Sequence, residues 1–317
     1  MLEILYSREL AAIGMDRQLR SWFARGIVTR LVPGAYVRTA ELAAIDRDER
    51  YRLRAVALSH LYPGQQFSHD SAAALWRLPT LGAWAPKIHV TSAPTDGGRS
   101  TTLFVRHGFG LDPRAAVIDG VRVSSLSRTL AEASTQPRFA RAIAMLDDGL
   151  RTPEHGDFRF GTRAPTKAEV IRELEDLGRV PGFVRGARAV EFADGASGSV
   201  GESLSRVQMR AIGVDPPQLQ VAFFDADGHI ADTDFYWPEL GVAGEFDGDS
   251  KYGDARRFGR HLTAQEVLVA EKRREDRLRR VVRGVVRWDW AIALDRRALE
   301  SRLAEHGIVA RTRRRTV

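Results

Sequence analysis

"DTDFYWPELGVAGEFDGDSKYG", residues 232–253, decides how the last third of the chain folds. Two runs rich in apolar residues flank Pro238–Gly241, as hairpin strands flank a turn. With those four residues as the loop, Trp237 pairs with Val242. Counting back sets Asp234 opposite Glu245 and Asp232 opposite Asp247. Alternation puts Asp232 and Asp234 on one face of their strand, and Glu245 and Asp247 on one face of theirs. Opposed residues have Cβ atoms about 4.5–5.5 Å apart, where like charges destabilise a sheet. Six carboxylates (Asp232, Asp234, Glu239, Glu245, Asp247 and Asp249) fall within eighteen residues of a chain with net charge +7. "GEFDG" follows Val242 and Ala243 and contains Phe246, so it reads as a central, largely buried strand. Buried carboxylates need a partner. A hard divalent cation, Mg²⁺ or Mn²⁺, accepts oxygen ligands and keeps several waters, and beside phosphate it activates water. The other reading is an acidic hairpin face in water, held by nearby arginines. The four lysines are Lys87, Lys167, Lys251 and Lys272. Lys251 follows the acidic strand, where a lysine orients a water nucleophile or offsets phosphate charge.

Composition narrows the classes. The chain has 317 residues, enough for two or three domains, and 44% apolar residues, enough for a core. No apolar run is long enough to span a membrane. "MLEILYSREL" lacks a basic n-region and a long apolar segment, so no secretory signal is expected. The absence of cysteine excludes disulfides and cysteine-based zinc sites and fits a cytoplasmic protein. The eight histidines are scattered with no HExxH pair, which argues against a histidine-based zinc site. Of the 48 basic residues 44 are arginine, and residues 255–317 carry 18 basic against 8 acidic side chains. Arginine suits bidentate phosphate contacts, so a polyanion partner is one reading; a GC-rich coding bias is the other.

An α/β fold of the α+β kind is expected, in successive parts. Residues 1–55 read as helix, turn, helix and a hairpin about Pro33–Gly34, the order of a winged helix-turn-helix. Arg17, Arg20 and Arg25 on the second helix and Arg30 and Arg38 on the wing are its candidate DNA contacts. Residues 56–150 read as a mixed α+β domain, with "KIHVTSA", "TTLFVRH" and "VIDGVRVSS" as strands. Within it, His69, Asp70 and Ser71 read as a helix-capping cluster, because three adjacent residues cannot converge on one substrate atom. Residues 151–196 read as a Gly/Pro-rich linker and helices, including a capping box from Thr166 to Glu169. Residues 197–317 form the last domain, with a basic tail.

"ESLSR", "DTDFYWPELGVAGEFDGDSKYG" and "EKRREDRLRRVVRGVVRWDW", in that order, resemble proteins related to the very-short-patch repair endonucleases, of the PD-(D/E)XK nuclease superfamily. The match covers about residues 198–295. The N-terminal winged helix resembles the AbiEi-type antitoxin domain. The resemblance implies a mixed sheet flanked by helices and Mg²⁺-dependent phosphodiester hydrolysis. It implies Glu202 as the acidic residue of the first helix, Asp234 as the central metal-binding aspartate and Glu245 as the second acidic ligand. Asp247 stands where the superfamily has its lysine, and Lys251 lies about where the repair-endonuclease branch has a histidine. Glu271 and Lys272 are placed to support such a site, or to form a surface network with Glu275. The expected protein binds and cleaves DNA, with Asp234, Glu245, Asp247, Lys251 and Glu202 as catalytic residues and the first three on the metal. The alternative is a non-catalytic regulator, an antitoxin of a type IV toxin–antitoxin system. RNA as substrate stays open. Expected partners are DNA and a cognate toxin or a second copy in a homodimer, with no membrane.

Overall fold

The structure is a computed structural model and describes residues 2–93, 100–151, 159–178, 180–248 and 264–311, with residues 264–271 described by backbone alone. The fold is mixed α+β: thirteen helices and three sheets among the described residues. The chain divides into two units, residues 1–137 with 152–191, and residues 138–151 with 192–317.

The first unit opens with β1 (Leu5–Tyr6), α1 (Ser7–Ala12), α2 (Asp16–Ala24), β2 (Val28–Val32) and β3 (Ala35–Arg38). Gly14 lets the chain turn between the helices at φ 77, a conformation that a Cβ disfavours. The strands order β1-β3-β2, and Leu19 of α2 is buried with Val28, Val32 and Val37. The helix, helix, hairpin order read from the sequence is the order observed, with β1 as a third strand. After α3 (Thr39–Ala44) and α4 (Arg47–Leu61) come β4 (Gln66–Phe67), α5 (His69–Leu75), β5 (Ile88–Thr91), β6 (Phe104–His107), β7 (Ala116–Ile118), β8 (Val121–Val123) and α6 (Leu126–Ser134). Their sheet runs β6-β5-β4-β8-β7.

The helix α7 (Phe139–Leu150) belongs to the second unit, not to the 56–150 domain expected from the sequence. The reason is Asp147, which is 1% exposed and held by Arg206, Ser203 and the amide of Asp194. The helices α8 (Lys167–Asp176) and α9 (Phe183–Phe192) lie between in sequence. The capping box at the start of α8 is present, with Thr166 and Glu169 bonding reciprocally.

The second unit continues with α10 (Val200–Ile212), β9 (Gln218–Asp225), β10 (Gly228–Trp237), β11 (Val242–Phe246), α11 (Ala264–Val281), β12 (Gly284–Trp288), α12 (Trp290–Leu294) and α13 (Arg296–Ala304). The sheet runs β12-β11-β10-β9, with β11 and β12 parallel and the other pairs antiparallel. Trp237 pairs with Val242 and Phe235 with Gly244, the register counted from the sequence. Gly241, at φ 65, closes the loop. Alternation gives the sheet two covered faces. Phe235, Trp237 and Trp288 stack on one, where the Trp288 indole N–H donates to Ser205 of α10 at 2.8 Å. Ala243, Tyr236 and Val285 pack with Leu278 and Val282 on the other.

Candidate functional site

The site builds from the start of α10. Ser199 caps the helix, accepting from the Glu202 amide at 3.2 Å. Glu202 folds back and accepts from the Gly198 amide at 2.6 Å. Gly201 brings the helix down on β11: a Cβ there would fall inside the Phe246 ring. Glu202 is thereby buried at 7% exposure beside the sheet. Gln220 of β9, in the left-handed region at φ 48, donates its amide to Glu202 Oε2 at 3.0 Å and approaches Asp234 Oδ1 at 3.4 Å. Asp234 Oδ2 accepts from the Phe246 amide at 2.8 Å. Glu202 and Asp234 thus share one side-chain amide as their bridge.

The electrostatics follow. Burial, then the charge of Glu202 and, more weakly, of Glu245, pushes Asp234 up to about 7, against the pull of the Phe246 N–H. Burial likewise raises Glu202 above the usual carboxylate range, opposed first by the Gly198 N–H. Glu245 meets its charge otherwise. It is 8% exposed, with Arg274 at 3.3 Å and Arg287 at 2.8 Å from its oxygens. Arg287 is its register neighbour on β12.

The expected residues therefore sort unevenly. Asp234 and Glu202 come together through Gln220, whereas the β10–β11 register runs from Trp237–Val242 to Phe235–Gly244 and ends one residue short of Asp234 and Glu245. Glu245 is engaged by two arginines. Asp247 is exposed, its backbone amide donating to the Trp288 carbonyl. Asp232 does not join the patch drawn from the sequence: it is exposed and bonds His229 at 3.0 Å, next to a register shift in β10. Lys251 and the Glu271 side chain lie outside the described residues. Lys272 is exposed. Gln220, Arg274 and Arg287 were missed. Nothing in the sequence marks Gln220, whereas a parallel β11–β12 pairing would have set Arg287 beside Glu245. As carboxylate oxygens with a raised proton affinity, Asp234 and Glu202 suit a hard cation. Arg17, Arg20, Arg25, Arg30 and Arg38 are all exposed; Arg20 pairs with Asp16, and Arg38 lies 3.7 Å from Glu41.

In the first unit, three histidines scattered in sequence are brought together. Among the described residues, the one group of three or more His, Asp or Glu whose ligating atoms all lie within 4.8 Å of one another is His69, His89 and His107. Their spacing in sequence gave no sign of this convergence. His89 on β5 and His107 on β6 sit two residues apart in a parallel register, and His69 opens α5, separated from β4 by one residue. Burial, then the charge of His89, holds His69 down to about 3. Burial, then the charges of His69 and His89, holds His107 down to about 3. Both rings are neutral at pH 7. The capping role expected nearby is also corrected. Asp70 accepts from the Ala85 amide and Gln136, and Ser71 accepts from the His89 amide, so both tie segments distant in sequence.

No family model matches the chain. Two proteins of Mycobacterium tuberculosis, each described as uncharacterized and from different strains, are 27% identical to it over 177 residues. The alignment covers 56% of this chain, and the chain spans 60% of the length of each relative. Those descriptions carry no activity. No helix among the described residues is long and apolar enough to cross a membrane.

Proposed function

We propose that the second unit is a metal-dependent nuclease-like domain that hydrolyses phosphodiesters of DNA in the cytoplasm, and that residues 1–55 bind the duplex. One observation carries this reading: buried Glu202 and half-buried Asp234 share one bridging amide, and Asp234 is raised to about 7. Buried like charges at this range repel, and a divalent cation relieves the repulsion. Asp234 and Glu202 offer the oxygen ligands; Glu245 joins them on leaving Arg274 or Arg287. A bound Mg²⁺ or Mn²⁺ supplies charge stabilisation at phosphoryl oxygen and an activated water. The protein's own part is positional. Gln220 and the Phe246 amide orient the two carboxylates, Arg274 and Arg287 offer guanidinium groups to phosphate, and the exposed arginines of α2 and the wing hold the backbone. In magnesium, nicking or cleavage of plasmid DNA is expected, and Asp234→Ala is expected to lower it more than about 100-fold, beyond the usual effect of an outer-shell partner. Unchanged cleavage by that variant removes the assigned site.

A second reading has its own observation. Glu245 is already neutralised by two arginines, and Asp247 occupies the place of the superfamily's lysine. Both fit a non-catalytic regulator of AbiEi type, binding promoter DNA and a cognate toxin or acting as a homodimer. Gel shifts in EDTA separate the two: sequence-specific binding with no cleavage on adding Mg²⁺ favours the regulator. On either reading, Arg17→Ala is expected to weaken DNA binding and reduce the salt slope by about 0.9.

A further inference from the structure

His69 at the start of α5 converges with His89 and His107 of the adjacent strands β5 and β6. His89 Nδ1 and His107 Nε2 are 3.0 Å apart, and the rings of His69 and His107 stack with centroids 3.6 Å apart. Behind His69 stands Glu132, 1% exposed, whose Oε2 lies 3.3 Å from His69 Nδ1 and accepts from the His69 amide at 2.7 Å. Arg128 holds the other Glu132 oxygen at 3.1 Å. A cavity of about 200 Å³ opens over the cluster, lined by His69, His107, Phe109, Glu132, Thr135 and Val180.

We propose that His69, His89 and His107 bind a transition-metal ion of the Zn²⁺ class, with Glu132 as the carboxylate behind His69 and one exchangeable position facing the cavity. Imidazole nitrogen selects zinc, copper, nickel and iron, whereas magnesium and calcium take oxygen, so this site is chemically distinct from the Asp234–Glu202 pair. At a Zn–N distance of about 2.0–2.1 Å, tetrahedral nitrogens stand roughly 3.3–3.4 Å apart. The His89–His107 pair needs to open by only about 0.3–0.4 Å to reach that spacing. Ligating histidines almost always give their other ring nitrogen to a carboxylate, carbonyl or water, and Glu132 is so placed on His69 Nδ1, leaving Nε2 for the metal. His69 holds a left-handed backbone at φ 49, uncommon for a residue with a side chain and concentrated at functional sites. The stacked His69 and His107 rings must turn to converge on one ion; the Cβ–Cγ torsion that turns them is broad and soft. Three histidines with an open fourth place are the layout of exchangeable rather than closed structural zinc sites.

Full-length, tag-free protein stripped with EDTA and titrated with Co²⁺ tests this. The expected result is the intense visible spectrum of four-coordinate cobalt at one equivalent, displaced by Zn²⁺. His107→Phe keeps an aromatic ring in the stack and is expected to abolish the spectrum while leaving circular dichroism unchanged; His89→Gln is expected to do the same, should His107→Phe fail to fold. Glu132→Gln is expected to weaken binding about 10–100-fold. Asp234→Ala, in the other unit, is expected to leave the spectrum intact. Folded wild-type protein giving no such spectrum, or a folded histidine variant retaining it, overturns the site and leaves a metal-free stack of neutral rings.

Discussion

Asp147, buried, and Asp234, half-buried, are both carboxylates of the second unit, and their surroundings differ in kind. Asp147 receives a guanidinium from Arg206 at 2.6 Å, the Ser203 hydroxyl at 2.7 Å and the Asp194 amide at 2.7 Å. Burial still raises its pKa, but each strong opposing influence is a donor aimed at it. Asp234 receives one backbone amide and a longer side-chain contact, and its charged influences are two other carboxylates. The first arrangement fastens α7 to α10. The second leaves charge in need of a cation, which is where sites that handle phosphate and metal concentrate.

The largest test of that contrast is Arg206→Ala. It strands the Asp147 carboxylate and is expected to lower unfolding free energy by about 3–5 kcal/mol in urea titration. Asp234→Asn is expected to leave stability at pH 8 unchanged or improved, because it removes a repelled charge. Equal losses in both variants would erase the distinction.

The metal-free protein's stability against pH gives a second, smaller effect. The folded Asp234 holds its proton up to about 7, whereas the unfolded chain releases it near 3.9. The folded state binds the extra proton between those values, so its stabilising contribution is full below about pH 4 and lost as pH rises through about 7. The raised Glu202 acts with the same sign. A fall on the order of 2 kcal/mol is expected after solvent screening, absent in Asp234→Asn and countered by Mg²⁺. A flat profile would show that the pair is hydrated after all.

Finer resolution comes from the neighbours. Glu202→Gln is expected to bring the Asp234 midpoint down further than Glu245→Gln, since Glu202 is the larger charge influence. Carboxylate-carbon NMR titration reads that order, and the reverse order would reassign the partner. Smallest of all, Thr166→Ala in the capping box of α8 is expected to cost about 1 kcal/mol in thermal melts without moving the Asp234 titration.

The hairpin was legible because side-chain period and loop length fix a register, and Trp237, Val242, Phe235 and Gly244 pair as counted. The closeness of Glu202 to Asp234 was not legible from spacing. Its bridge was not legible, because it depends on Gln220 adopting a left-handed φ inside a strand. Nor was the neutralisation of Glu245, whose arginines come from α11 and from β12. The side of α7 turned on Asp147, a buried carboxylate whose donors lie far along the chain. The histidines were hidden for the same reason: strand order, not spacing, sets β4, β5 and β6 side by side.

A missing methyl group at Gly201 sets how near α10 can settle on the aromatic ring of Phe246. That bare backbone is a spacer one carbon thin. Restoring the carbon, as in Gly201→Ala, lifts the helix and carries the Glu202 oxygens away from Asp234 while every ligating atom stays in the protein. Proton affinity and metal affinity would then fall together, tied to a position that has no polar side chain of its own.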